Sequence, residues 1–324
     1  MILRHRTVIL IVLSAIAIVG IGAGIKLQQI EDQSRESPSA EAIPYAPVKR
    51  VLKTDKSFFT SATSTKPSAI AKKIPAQVVP AAPTDGIAAE AYIVGDLDTG
   101  KIYFERGADK VLPFASMSKL ITALVATNMY PSDTAITITP EEADVAPDLS
   151  GIKAGETFTA KELIYPLLLT SSNIAAEAFA SSTDRIEFLS LMSGYSWEIG
   201  MPHAYFADPS GISPQNAGTA RGFFAMARYL YKSRKDILAI TRTVNYSIAT
   251  TTGHDAHAIV NIHPFVSDPR FLGGKTGHTS AALDTMLTIL NMQDHPIAFI
   301  VLRSPDYRTQ DTDALIGKME QTSF

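Results

Sequence analysis

The chain has 324 residues, a formal net charge of −3 and no cysteine. Nothing in the near-neutral balance suggests a nucleic-acid partner, and the missing cysteines exclude disulfides, thiolate metal sites and a cysteine nucleophile. With 46% hydrophobic residues, a chain this long can bury one large core or two ordinary ones.

Arg4 and Arg6 precede an uncharged run from Thr7 to Ile25, just long enough to span a bilayer. The basic flank predicts a cytoplasmic N-terminus (residues 1–6), a single-pass anchor at 7–25 and export of everything after it. A cleaved signal peptide starts the same way, but with a shorter apolar core and an A-x-A-like site, so the length favours an uncleaved anchor. Residues 26–85 carry Pro38, Pro44, Pro47, Pro67, Pro75, Pro80 and Pro83 among Ser, Thr, Ala and Lys, with no sustained period. That composition predicts a disordered linker.

From Gly86 to residue 324 the pattern is globular. "AEAYIVGDL", the turn "DTGK" and "IYFER" read as a hairpin. "SKLITALVATNM", "TAKELIYPLLLT", "NIAAEAFASS", "DRIEFLSLMSGYSWEIG" and "TARGFFAMARYLYKS" read as helices, with Phe188 and Trp197 on a buried helix face. After a strand near "TVNYSIAT", the segments "FLGGKTGHT", "ALDTMLTILN" and "PIAFIVLRS" read as strands and "TDALIGKME" as a last helix. Strands at both ends with helices between predict one α+β domain whose two ends share an antiparallel sheet.

The stretch "LPFASMSKLITALVATNMYPS" holds one charge, Lys119, in an apolar helix that should start near Ser116. At i and i+3 these two residues share a face with the small Ala123 and Ala126, so Lys119 should be buried and its pKa depressed. A neutral lysine is a general base, and a serine beside it at a helix N-terminus is a nucleophile. An isolated S-x-x-K is otherwise an N-cap followed by a snorkelling lysine. A second copy, Ser150 to Lys153, lies between Pro147, Gly151 and Gly155, where no helix can hold both on one face. Two further elements weigh against chance: Ser171-Ser172-Asn173, an S-x-N 55 residues after Ser116, and Lys275-Thr276-Gly277, 104 residues after Ser171.

In order and spacing the three motifs resemble the penicillin-binding protein and serine β-lactamase superfamily. "DLDTGKIYFERGADKVLPFASMSKLITALVA", "GIKAGETFTAKELIYPLLLTSSNIAAEAFA", "FADPSGISPQN" and "GGKTGHTSAA" are similar to the D-alanyl-D-alanine carboxypeptidases of low molecular mass. The resemblance implies a β-lactamase/transpeptidase-like fold with a helical subdomain. It also implies a serine-type carboxypeptidase acting on peptidoglycan stem peptides that end in D-Ala-D-Ala, outside the cytoplasmic membrane on the periplasmic or wall side, with β-lactams as covalent inhibitors. By it, Ser116 is the acylated nucleophile, Lys119 the base and Ser171 a proton relay. Asn173, Lys275, Thr276, Gly277 and Thr279 bind substrate, with Lys275 facing the terminal carboxylate, and the amides of Ser116 and His278 form the oxyanion hole. Gly277 would let an extended peptide lie against its strand. No cofactor or metal is implied, and His254, His257 and His263 read as ordinary structural histidines. Leu283 and Asp284 depart from the family pattern, which usually has Gly and then an aromatic or Asn there. Alternatives are a DD-endopeptidase, which shares every motif; a β-lactamase, for which the expected E-x-x-L-N loop is missing; and a non-catalytic wall-binding protein, which should have lost one of these residues.

Overall fold

In the computed structural model of the protein, five strands form one antiparallel sheet: β1 (Ala91–Asp96), β2 (Ile102–Arg106), β3 (Phe271–Thr279), β4 (Leu283–Met292) and β5 (His295–Ser304). Their order is β2–β1–β5–β4–β3, so the two ends of the domain share the sheet as expected. The structure describes residues 86–305 and 307–323. These fall in one compact unit, Ala76–Phe324. The expected anchor (7–25) and linker (26–85) lie outside the described residues. Among the described residues no helix is long and apolar enough to cross a membrane.

Among the described residues the α-helices of seven residues or more are α1 (Lys119–Met129), α2 (Ala160–Leu169), α3 (Asn173–Ser181), α4 (Arg185–Glu198), α5 (Ala220–Ser233), α6 (Lys235–Thr241) and α7 (Arg308–Glu320). All but α6 were expected from the periodicity. β1 and β5 read as unbroken apolar runs because both faces of the sheet are covered. Ala91 and Ile93, with Ala298, Ile300 and Leu302, enter a large core shared with α1–α6. Tyr92 and Val94, with Ile297, Phe299 and Val301, enter a second core closed by Leu315, Ile316 and Met319 of α7. β4 passes to β5 through Gln293 and Asp294 alone, both at positive φ (52° and 65°), the backbone a two-residue hairpin requires.

Caps set where the helices begin. Thr159 and Glu162 make a reciprocal capping box on α2. The Ser172 hydroxyl accepts from the Ala175 amide (3.1 Å) and starts α3, so the middle residue of the S-x-N motif is structural. One expectation fails: Trp197 is 69% exposed, although Phe188 is fully buried. α4 buries Phe188, Met192 and Ser196, every fourth residue, and Trp197 stands about 100° further round the helix, facing solvent.

Candidate active site

Ser116 does not begin an α-helix. It lies in a 3₁₀ turn, Ala115–Ser118, that leads into α1 at Lys119. The turn is fastened to the sheet: the Thr285 hydroxyl of β4 donates to Phe114 O (3.0 Å), and the Phe114 amide donates to Asn216 O (3.1 Å). Ala115 is held at φ +50°, a conformation that strains a residue with a Cβ. In a 3₁₀ turn residues i and i+3 eclipse, which brings Lys119 Nζ to 2.9 Å from Ser116 Oγ.

Lys119 is fully buried. Its Nζ, in contact with Ser116 Oγ, donates to Asn173 Oδ1 (2.8 Å) and to Ser210 O (2.6 Å). Among the described residues no carboxylate is in ion-pair contact with it. Burial pushes its pKa down to about 7, against the weaker pull of the more distant Asp208, Asp148 and Glu177 charges. The Ser210 carbonyl is presented by a tight loop built on Asp208, whose carboxylate accepts from the amides of Ser210 (2.9 Å), Gly211 (2.5 Å), Ile212 (3.2 Å) and Ser213 (2.7 Å).

Lys275, on β3, is also buried and donates to Ser171 Oγ (2.9 Å) and Thr276 O (2.8 Å). Burial first, then the Lys119 and Arg308 charges, hold its pKa well below the usual lysine range. Ser171 occupies φ +62° where the chain leaves α2, a position that favours glycine. Its neighbour, the Ser172 amide, donates back to Pro166 O (2.9 Å).

Gly277 explains how close β3 comes to the nucleophile. A Cβ there would lie 2.9 Å from Ser116 N, 3.0 Å from Ala115 Cβ and 2.5 Å from Thr285 Oγ1. The glycine therefore makes room for the Ser116 turn. Thr276 is buried, and Thr279 accepts from the Ala282 amide (3.1 Å) in the β3–β4 turn. The His278 ring is exposed, with Nδ1 2.9 Å from Asp284 Oδ1. Arg308, at the start of α7, donates to the same Asp284 oxygen (2.7 Å) and to Gly277 O (3.2 Å).

A sequence model of the D-alanyl-D-alanine carboxypeptidase family matches residues 76–305, well over half of the chain. The chain belongs to that family. It is 29% identical over 153 residues to a D-alanyl-D-alanine endopeptidase of Pseudomonas aeruginosa, a match covering 46% of this chain and 48%, about half, of that relative. It is 28% identical over 204 residues to a D-alanyl-D-alanine carboxypeptidase of Mycobacterium tuberculosis, covering 61% of this chain and 69% of that one. The fold is similar to the crystal structure of a D-alanyl-D-alanine carboxypeptidase from Mycobacterium tuberculosis H37Rv, with a TM-score of 0.67, 22% identity, and coverage of 76% of this chain and 96% of that one.

The family's three motifs thus meet in space: Ser116, Lys119 and Asn173 through the Lys119 amino group, Ser171 and Lys275 through that of Lys275. The second S-x-x-K does not join them. Lys153 is exposed and pairs with Asp255 (3.3 Å), while Ser150 is buried against Asp148. His254 stacks on Phe158, His257 pairs with Glu156 (3.0 Å), and His263 is buried under β4. Sequence reading missed Ser210 and Asp208. "DPSG" did carry a signal, since an aspartate followed by Pro-Ser-Gly favours a turn that the aspartate side chain can cap. It also missed Asp148 and Arg308, which no local pattern marks.

Proposed function

We propose that the protein is a serine-type D-Ala-D-Ala carboxypeptidase acting on peptidoglycan stem peptides through an acyl-enzyme. The observation that carries this reading is the set of partners around Lys119 Nζ. Two of the three, Asn173 Oδ1 and Ser210 O, are carbonyl oxygens and can only accept. The third, Ser116 Oγ, can donate. A neutral amine has two N–H bonds and one lone pair. Its hydrogens satisfy the two carbonyls, and the lone pair is left for the serine proton.

Ser116 Oγ then attacks the scissile carbonyl as its proton passes to Lys119. The oxyanion is held by the amides of Ser116 and His278. Collapse of the tetrahedral intermediate breaks the C–N bond, and the leaving amine takes a proton relayed through Ser171, which Lys275 orients. Water hydrolyses the ester with Lys119 again as base. Lys275 and Arg308 lie at the β3 end of the site, and a free C-terminal carboxylate arriving there, flanked by Thr276 and Thr279, would favour the Lys275 ammonium that burial otherwise disfavours. A β-lactam acylates the same serine, and its ring-opened ester blocks the site.

The test is to incubate the protein with labelled penicillin and, separately, with a pentapeptide ending in D-Ala-D-Ala. The expected result is a stable adduct on the Ser116 peptide and release of one D-Ala. An adduct on Ser150, or one surviving in Ser116→Ala, overturns the assignment. The Pseudomonas relative's name supports a second reading, cleavage of cross-links. Turnover of a cross-linked dimer but not of the pentapeptide would establish it.

A further inference from the structure

Asp148 lies in the loop before α2, outside the three motifs, yet it is the hub of the turn that carries the second one. Its Oδ2 accepts from the Asn173 amide (2.6 Å), the Ile174 amide (3.1 Å) and the Ser172 hydroxyl (2.8 Å). Its Oδ1 accepts from the Ser150 amide (2.8 Å) and from the Ser150 hydroxyl. The preceding carbonyl, Pro147 O, accepts from Asn173 Nδ2 (3.2 Å). Asn173 is therefore gripped at its backbone and at one end of its side chain by this loop, while the other end receives Lys119 (2.8 Å).

We propose that Asp148 is a positioning residue for acylation, its carboxylate fixing the Ser171–Asn173 turn so that the Asn173 side chain stays on Lys119 and the Ser171 hydroxyl stays on Lys275. The proposal rests on the reading of Ser116 and Lys119 given above. Five donors converge on one side chain, and only an ionised carboxylate, with two acceptor oxygens and no proton, satisfies them all. Its charge also faces the first amides of α3, which have no partner within the helix, where the helix favours an anion. Burial acts to raise the Asp148 pKa, but the hydrogen bonds from Ser150, Ser172 and Ile174 outweigh it and hold the carboxyl below its usual range. The buried Ser150 thus gains a purpose: it braces Asp148 from behind, with its hydroxyl 3.3 Å from that of Ser172.

The carboxylate has a second, electrostatic consequence that a merely structural residue would lack. Lys119 feels Asp208 from its loop, Asp148 and, from α3, Glu177, against Lys275 on β3, whose own charge is further opposed by Arg308. Removing the Asp148 charge leaves two anions to favour the Lys119 ammonium, so the base should lose its proton at lower pH.

The experiment measures penicillin acylation of the full chain against pH, with thermal melting as a check on folding, for the wild type, Asp148→Asn, Asp148→Glu and Lys119→Arg. Asp148→Asn should lower the plateau rate by about tenfold or more and move the acid limb down by about half a pH unit. Asp148→Glu keeps the charge but displaces the acceptors, so it should lower the plateau and leave the limb in place. A folded Asp148→Asn with an unchanged plateau overturns the proposal, and so does a lowered plateau with an unmoved limb, which marks a structural role only. Should Asp148→Asn fail to fold, an unchanged plateau in Asp148→Glu overturns it instead. Normal acylation by Lys119→Arg overturns the underlying assignment of the base, and this proposal with it, whereas the Asp148 results by themselves reach only the latter.

Discussion

Lys119 and Lys275 are both buried without an ion-pair partner among the described residues, and their mutual repulsion adds to the cost of charging either. A protein tolerates this where the chemistry needs a free amine. With Lys119 at about 7, the acylating form is the minor one below neutrality and the major one above it. Acylation should therefore rise about tenfold per unit as pH increases toward 7 and level off beyond. Lys119→Arg should lose about 10²–10⁴ of the rate at every pH, because a guanidinium does not give up its proton in a protein. A pH–rate profile of both proteins with penicillin checks this, and an arginine variant acylating at close to the wild-type rate would make Lys119 structural. Ser116, Lys119, Asn173 and Lys275 were readable in the sequence because they stand in three short motifs whose order and spacing resemble those of the family. Asp148 and Asp208 were not. Each acts by collecting donors that a loop brings together, and aspartates in loops are common whether or not they do so.

At the level of elements, the site is made by two departures from regular backbone. Ala115 enters the 3₁₀ turn at φ +50° and Ser171 leaves α2 at φ +62°, both where glycine is at ease. Such strain persists when surrounding contacts over-determine it, here the Thr285–Phe114 and Ser172–Pro166 hydrogen bonds. The sequence pointed to a helix beginning near Ser116 and to an S-x-N between helices, but not to the left-handed residue in each, because neither is a glycine. Ser171 keeps its side chain for the hydroxyl that meets Lys275, and a paired comparison isolates the cost. Ser171→Ala and Ser171→Gly remove the same hydroxyl, but only the glycine relieves the left-handed strain. The glycine variant should be the more stable of the two by about 0.5–1 kcal/mol, with both deficient in acylation to a similar degree. Urea denaturation of the pair measures this; an alanine variant equal or superior in stability would show that the turn is not strained.

Across the whole molecule, the sheet with a core on each face was the most legible feature, since an unbroken apolar run such as that of β5 has few other uses in a domain of this size. The depressed pKa of Lys119 was legible in the sequence, but that of His263 was not. His263 looked like an ordinary structural histidine and is one, but its ring is wholly enclosed beside β3 and β4. Nδ1 accepts from the Phe265 amide (3.3 Å), so Nε2 carries the hydrogen and donates it to Leu287 O (3.0 Å). The ring presses so closely on Gly274 that a Cβ there would lie 2.6 Å from Nε2. Burial, assisted by the Lys275 and Arg308 charges and opposed by the Leu287 carbonyl, pushes its pKa down to about 3. A second proton would have to displace the Phe265 amide in a site that already faces two cations. Because the folded pKa lies below the unfolded one, of about 6.5, the unfolded chain takes up a proton that the native state refuses. This contribution to stability is intact above about pH 6.5 and is lost progressively as the pH falls toward 3. Between pH 8 and pH 5 the loss from this one ring should be about 2 kcal/mol. His263→Gln keeps a donor for Leu287 and does not titrate. It should start less stable at pH 8, since the replacement packs less well, and then lose about 2 kcal/mol less than the wild type on acidification. Urea midpoints for both proteins at the two pH values test the difference. Parallel losses would show that His263 is protonated in the folded protein and that its enclosure at the base of the Lys275 strand is looser than its contacts indicate.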